Sequence, residues 1–272
     1  MISLPAANVR PAIVCTLTLG GLLLGCRPPV DHLPSGHRDL IQSRVTNSFA
    51  RTVLFKPIEA ESNPASVLRL APLIIQDVAG TNNSVLWRDR FAPEDAGPLV
   101  HAGSGTITVN GRPHDQFSYL WTYPATGPGR DAQGIRITLN AAGEPVIWEV
   151  LGDSTGADIL YVAQSVELAA RAEFGPPPPG RKFSIERNVG DAPRTVVANI
   201  IDDGPTPMGP VVYLMKDNRD VSTLICRCMA SQGGLLLGQA DYALETSMAQ
   251  TNLPAAFPTI QLEQRLRLPR SF

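Results

Sequence analysis

The chain has 272 residues, of which 43% are hydrophobic and 18% charged, so it carries enough apolar material for a sizeable core. Its formal net charge is −2, and aromatic residues make up 6% of it. Because nucleic-acid-binding proteins present clustered positive charge or stacking aromatics, this composition argues against nucleic acid as a partner.

The first 26 residues are organised like a bacterial export signal. Arg10 precedes an apolar stretch from Ala12 to Leu24, which Gly25 and Cys26 follow. A positive start, an apolar middle and a small residue before a cleavage point are the three parts of such a signal. A helix over the apolar stretch would extend only about 20 Å, less than the roughly 30 Å of a membrane's hydrocarbon core.

The end of this signal, Leu23-Leu24-Gly25-Cys26, resembles the lipobox of bacterial lipoproteins. The resemblance covers residues 1–26. It implies that residues 1–25 are removed and that Cys26 carries a lipid whose acyl chains include palmitate. It implies export and attachment to a bacterial membrane. Arg27 stands where an inner-membrane retention signal would have Asp, which favours the outer membrane facing the periplasm. The alternative is an ordinary signal peptide cleaved nearby, with Cys26 an incidental thiol.

Two further regions are predicted beyond the signal. Residues 26–64 contain five prolines among polar residues and are predicted to be the lipidated N-terminus and a tether. Residues 65–272 are predicted to form a single domain. A run of four prolines in residues 175–181 offers a possible subdivision of that domain.

Strand patterns dominate the predicted domain. Thr106–Val109 leads into Asn110-Gly111, a dipeptide typical of tight hairpin turns, and Ile135–Asn140 with Pro145–Leu151 predicts a second hairpin. Further strands are predicted at Val67–Ile75, Phe183–Glu186, Arg194–Ile201, Val211–Met215 and Val221–Cys228, whereas Gln239–Gln250 is predicted to be helical.

One amphipathic helix is predicted over about residues 157–174. Apolar residues from Ile159 to Ala170 recur there at helical spacing, and Gly175 and Pro176 would end the helix. The predicted fold class is therefore α+β, with a mainly antiparallel sheet and this one helix.

Cys226 and Cys228 form the one unusual constellation in the predicted domain. On a strand, their Cα atoms would lie about 6.6 Å apart on one face, near the limit for a disulfide. Three interpretations stay open: buried thiols, a strained disulfide, or a soft-metal or redox site for Cu(I) or Zn.

His101 and Ser104 invite a hydrolase interpretation, because a serine in a glycine-rich loop lies close to a histidine. However, Gly103-Ser104-Gly105 leads into a predicted strand rather than a helix, which favours a plain turn.

Other polar and aromatic residues receive simpler interpretations. His114-Asp115 is predicted to lie on the surface, and the aspartates are predicted to cap turns. The aromatic residues of the sheet are predicted to pack in the core. These aspartates and aromatic residues are Asp202, Asp203, Asp217, Asp220, Tyr119, Trp121, Tyr123 and Trp148.

The sequence thus favours a lipid-anchored cell-envelope protein that acts as a binding or structural module for a protein or a small-molecule ligand. No cofactor is predicted for this function. The alternative is a thiol-based soft-metal-binding or redox protein using Cys226 and Cys228. The common nucleotide-binding and metalloprotease motifs do not occur, so the sequence leans away from an enzyme without deciding the matter.

Overall fold

A computed structural model describes residues 32–45, 51–58, 63–77, 97–123, 132–204, 208–215, 220–226, 235–246, 257 and 259–272. Within these ranges, all the strands belong to a single eleven-stranded sheet.

The sheet is accompanied by four short helices in the described residues. The strands are β1 Arg51–Pro57, β2 Leu73–Asp77, β3 Leu99–Val109, β4 Arg112–Thr122, β5 Ala132–Leu139, β6 Pro145–Leu151, β7 Asp158–Ala163, β8 Thr195–Ile201, β9 Val211–Leu214, β10 Val221–Ile225 and β11 Leu235–Glu245. The helices are α1 His37–Arg44, α2 Ala65–Leu70, α3 Gln164–Phe174 and α4 Leu262–Arg265.

The strand order is β10-β9-β2-β1-β11-β3-β4-β5-β6-β7-β8. Strands β3 to β7 form an antiparallel meander. Four other pairs are parallel: β1 with β11, β11 with β3, β2 with β9 and β7 with β8. The sheet is therefore mixed, because several strands that are distant in sequence return to lie beside one another.

The predicted α+β class is wrong. Of the residues that the structure describes, 46% lie in strands and 16% in helices, so this part of the protein is mostly β, in a nearly closed, barrel-like sheet. The predicted helix over residues 157–174 is wrong in its first part, because residues Asp158–Ala163 form β7 and α3 begins only at Gln164. Five of the six β7 residues are buried, and a strand covered on both faces has an apolar run that periodicity cannot distinguish from a helix.

Three other local predictions also fail. Val67–Leu70 belongs to α2, and Phe183–Glu186 is a turn whose Glu186 forms an isolated bridge to Leu266. The segment from Gln239 to Glu245, predicted to be helical, is the second half of β11. Tertiary pairing overrides the weak local preferences of these segments.

Both predicted hairpins are confirmed. Asn110 and Gly111, with φ of 50° and 75°, join β3 to β4, and such left-handed pairs match the twist of a hairpin. Strands β5 and β6 form the second hairpin, with Asn140 bonding the turn backbone through its side chain.

Part of the stretch 26–64, which was expected to be a tether, is folded into the sheet structure. Helix α1 and strand β1 lie in this stretch, and β1 pairs with both β11 and β2. On either side of the possible subdivision at 175–181, strands β7 and β8 pair directly with each other.

The inner face of the sheet carries the apolar core. Phe117, Ile137, Trp148 and Tyr161 are cross-strand neighbours on one face of β4 to β7, and all are buried. The Tyr161 hydroxyl donates to the carbonyl of Ser222 in β10, 3.2 Å away. Because β7 and β10 lie near opposite ends of the strand order, this contact shows that the sheet curls round the face that carries Tyr161.

Helix α1 fills the seam between the two edge strands, β8 and β10. Gln42 donates a 3.0 Å hydrogen bond from Nε2 to the carbonyl of Val197 in β8. Ser222 Oγ in β10 donates a 2.7 Å bond to the carbonyl of Arg44. Strands β10 and β8 stand at the two ends of the strand order, so each has one side without a neighbouring strand among the described residues. Helix α1 supplies a hydrogen-bonding partner to each of these two strands.

Candidate functional site

The cysteine predictions are only partly covered by the described residues. Cys226 follows β10, is half-buried and packs against the core, whereas Cys26 and Cys228 lie outside the described residues. In the described ranges, no group of three or more His, Cys, Asp or Glu side chains could hold a metal ion. In the same ranges, no helix has the length and apolar character to cross a membrane. The lipidated cysteine and the Cys226–Cys228 site stay predictions.

His101 and Ser104 are not brought together. Both lie on β3, three positions apart, so their side chains point to opposite faces of the sheet. His101 is buried, with Nδ1 3.3 Å from Oε2 of Glu245 in the neighbouring β11. Ser104 is exposed and lines a shallow cavity of about 240 Å³ beside Ser66 and Asp115.

The placement of His114 on the surface is wrong. Its side chain is only 2% exposed, and its Nδ1 lies 3.0 Å from the carbonyl oxygen of Leu139. The ring of Phe272 covers it, with the ring centroids 4.9 Å apart. Asp115, on the opposite face of β4, is exposed as expected. The C-terminal segment, residues 259–272, places Phe272 over the outer face of the β3–β4 hairpin, a contact that no local pattern reveals.

The carboxylates that were predicted to cap turns have different surroundings. Asp203 accepts hydrogen bonds from the backbone N–H and the hydroxyl of Ser165, at 2.8 and 2.7 Å, and so caps α3 from the end of β8. Asp202 is exposed, and Asp217 lies outside the described residues. The aromatic residues predicted for the core, Tyr119, Trp121, Tyr123 and Trp148, are all buried.

A buried ion-pair cluster joins α1 to two turns. Arg44 lies 2.7 Å from Asp153 and 3.1 Å from Asp220, and all three side chains are almost fully buried. Asp220 also accepts the backbone N–H of Ser154, and Asp153 accepts that of Thr155. Burial raises the pKa of Asp220, and the nearby charge of Asp153 raises it further. Every charged group here is paired with an opposite charge. We call the cluster a structural tie, because it connects α1 to two turns and leaves no charge open to a ligand.

A second ion pair crosses the outer face of the β5–β6 hairpin. Arg136 Nη1 lies 2.8 Å from Glu149 Oε2, and its Nη2 donates to the carbonyl of Phe257 at 2.6 Å. Burial raises the pKa of Glu149 to about 7, although the charge and hydrogen bond of Arg136 oppose the rise. A carboxyl group that titrates near neutral pH is a recognised mark of a functional position, but this one is enclosed by Arg136 and the C-terminal segment.

A third cluster surrounds Glu186. Its carboxylate is buried, lies 3.3 Å from Arg181 and 3.4 Å from Arg38, and accepts the backbone N–H groups of Lys182 and Phe183. Burial lowers the pKa of both Arg38 and Arg181. This cluster ties α1 to the segment that follows the four prolines.

An open arrangement of charged side chains lies between the end of α3, the β3–β4 turn and the C-terminal segment. We call it the arginine groove. It has a volume of about 440 Å³, which is within the usual range for small-molecule sites. Its lining residues are Asn110, Glu173, Phe174, Arg187, Glu263, Leu266, Arg267, Leu268 and Arg270.

Backbone hydrogen bonds hold the walls of the arginine groove. Arg187 donates from Nε to the carbonyls of Glu263 and Leu266, at 2.8 and 3.1 Å. Asn110 donates its backbone N–H to the Glu263 carboxylate and its side-chain amide to the carbonyl of Pro269. These contacts fix α4 and the C-terminal segment against the β3–β4 turn.

Arg267 lies over an aromatic ring in the groove. Its guanidinium carbon is 5.4 Å from the centroid of the Phe174 ring, a cation–π geometry. Its Nη2 donates to the carbonyl of Ser184, whereas its Nε is buried and has no hydrogen-bond partner among the described residues. Burial lowers the pKa of Arg267, and the positive charge of Arg187 lowers it further, against the opposing effect of Glu167. Two guanidinium groups therefore repel each other here.

Arg270 stands at the rim of the groove with a side chain that is 95% exposed. Its Nε is 3.6 Å from Glu173 Oε1, and its backbone N–H donates to the same carboxylate at 2.9 Å. The lining contains three arginines against two glutamates, so it carries an excess positive charge.

The sequence interpretation missed this site, although a signal was present. The segment Arg265-Leu266-Arg267-Leu268 alternates charged and apolar residues, which is typical of a half-buried extended chain. Leu266 and Leu268 are indeed buried, and the arginines lie closer to solvent.

Comparisons of this chain with protein-family models, curated proteins and solved structures gave no match.

Proposed function

We propose that this protein is a lipid-anchored cell-envelope protein whose folded domain is a binding module. The anchoring part rests on the resemblance of Leu23-Leu24-Gly25-Cys26 to a lipobox. The binding part rests on one structural observation, the solvent-open arginine groove of about 440 Å³.

The contrast with the other charged clusters supports this assignment. Arg44, Arg136 and Arg181 each form a short ion pair with a buried carboxylate, and these pairs connect separate elements of the fold. Charges used in this way are not accessible to a ligand. In the arginine groove, by contrast, Arg270 is almost fully exposed and has only a long ion pair with Glu173.

The anchoring part is tested by metabolic labelling with an alkyne-bearing fatty acid, followed by membrane fractionation. We expect the full-length protein to incorporate the label and to sediment with membranes, and Cys26→Ser to abolish both. Cys15→Ser and Cys226→Ser are the matched controls, because those cysteines lie outside the lipobox. Labelling that persists in Cys26→Ser would contradict the proposal.

A further inference from the structure

We propose that the arginine groove binds a small anionic ligand, a carboxylate or a phosphate ester, whose apolar part lies against Phe174. The inference rests on the binding role proposed above and names the class of ligand. Three observations support it: the excess of arginines, their unused donors and the apolar floor.

Two of the arginines that line the groove retain N–H donors that make no hydrogen bond within the described residues. A guanidinium group has five N–H donors in a planar fork that matches a carboxylate or a phosphate. Arg187 uses Nε and Nη2 for carbonyls of its own chain, and its Nη1 makes no hydrogen bond within the described residues. Arg270 approaches Glu173 through Nε, so the outer edge of its guanidinium stays open to solvent.

Charge balance in the groove also favours an anion. Arg187 and Arg267 are close enough for their positive charges to repel, and the three arginines of the lining face only two glutamates, although Glu167 behind the lining offsets part of the charge at Arg267. An anion between these guanidinium groups would relieve the repulsion and form charge-assisted hydrogen bonds, which are stronger than neutral ones.

The groove has an apolar floor beside its charged groups. Phe174, Leu266 and Leu268 line it, and the Phe174 ring is only partly buried. Leu266 and Leu268 are already buried, so an apolar group beside the anion would cover the exposed part of the Phe174 ring and gain the free energy of removing it from water. A ligand that combines one anionic group with a short hydrocarbon chain fits both parts.

The test is a calorimetric titration of the full-length protein in a mild detergent, with hexanoate and hexyl phosphate as probes. Hexanol and hexyltrimethylammonium are the neutral and cationic controls. We expect at least one anionic probe to bind with a dissociation constant of about 1 mM or lower. Binding of hexanoate alone or of hexyl phosphate alone identifies the anionic group. Equal binding of hexanol or hexyltrimethylammonium would overturn the inference.

Substitutions locate the binding within the groove. Arg270→Gln removes an exposed charge without disturbing the core, and we expect it to weaken binding about tenfold. Arg187→Gln should weaken binding at least as much, with circular dichroism checking that the fold is kept. Arg171→Gln, on the exposed side of α3 and outside the groove, is the matched control and should bind normally.

The outcomes separate this inference from the proposed function. If neither anionic probe binds, the ligand class is wrong. If a probe binds but both groove variants bind it like the unchanged protein, the arginine groove is not its site, and the inference fails. Lipid labelling of Cys26 is measured independently, so the envelope anchoring stands or falls by its own experiment.

Discussion

Arg44 Nη1 lies 2.7 Å from Asp153 Oδ2, although the two residues are 109 positions apart in the chain. The contact joins the end of α1 to the turn between β6 and β7, and Asp220, just before β10, completes the cluster. The pair therefore holds α1 in the seam of the nearly closed sheet, with both edge strands beside it.

Removing Arg44 should strongly destabilise the protein. Arg44→Met leaves two buried carboxylates without a cation, and breaking a buried pair in this way costs about 3–5 kcal/mol. Urea denaturation monitored by circular dichroism measures the loss. Arg112→Met, at an exposed position of β4, is the control and should change the free energy of unfolding by less than about 0.5 kcal/mol. A comparable stability for the two variants would show that the cluster is not a structural tie.

The pKa of Glu149 predicts a pH-dependent stability. The folded protein holds the Glu149 proton up to about pH 7, whereas the unfolded chain holds it only up to its ordinary value of 4.5. Because the folded state binds the proton more tightly, this group stabilises the protein fully below pH 4.5, and that contribution is lost as the pH rises to about 7. The loss amounts to about 3 kcal/mol.

Chemical denaturation at several pH values tests this prediction. Glu149→Gln cannot titrate, so we expect its free energy of unfolding to lack the fall that the unchanged protein shows between pH 4.5 and about 7. The absolute stability of the variant also changes, because Arg136 loses its partner, so the comparison is between slopes. Glu144→Gln, in the exposed turn of the same hairpin, should keep the slope. Parallel pH profiles for the protein and Glu149→Gln would refute the assignment.

Two glycines on the same sheet should respond differently to alanine. A Cβ on Gly134 would lie 2.2 Å from the carbonyl oxygen of Tyr119, so the β4–β5 pair would have to move. A Cβ on Gly103 would meet nothing within 4 Å. We expect Gly134→Ala to cost about 1–3 kcal/mol or more, and Gly103→Ala less than about 0.5 kcal/mol, in thermal or urea denaturation. If Gly134→Ala were tolerated, β4 and β5 would have to lie farther apart at this position than they do in the structure.

Asp203 should contribute to the stability of α3. Asp203→Ala removes the carboxylate that accepts the Ser165 N–H at the positive end of the helix dipole. Loss of such a cap typically costs about 1 kcal/mol, measurable as a shift of the denaturation midpoint. The adjacent, exposed Asp202→Ala is the control and should have little effect. The capping role would be disproved by an equal effect at the two positions.

The thiol alternative can be tested through metal content. We expect the protein, purified without chelator or reductant, to show the same metal content by mass spectrometry as the Cys226→Ser with Cys228→Ser variant. A stoichiometric amount of copper or zinc that disappears in the double variant would favour the soft-metal function instead.

Local patterns were sufficient for the two hairpins and for the buried aromatic residues. Asn110-Gly111 favours a tight turn through its own backbone, and the β5–β6 hairpin closes between segments that are adjacent in the chain. In both cases the partner strand is the next one along, so no distant information is needed. The predicted export signal and the resemblance to a lipobox likewise rest on consecutive residues, and they stay predictions.

The nearly closed sheet, the position of α1 and the arginine groove depend on residues that are far apart in the chain. Strand β1 pairs with β11 from the other end of the sequence, Asn110 bonds Glu263 across 153 positions, and His114 is covered by Phe272. The same distance explains the error over β7, whose apolar run is compatible with a helix until β6 and β8 pair on either side of it. Periodicity reports which face of a segment is apolar, but the neighbour that covers this face is chosen only when the whole chain packs, because burial and hydrogen bonding are satisfied collectively.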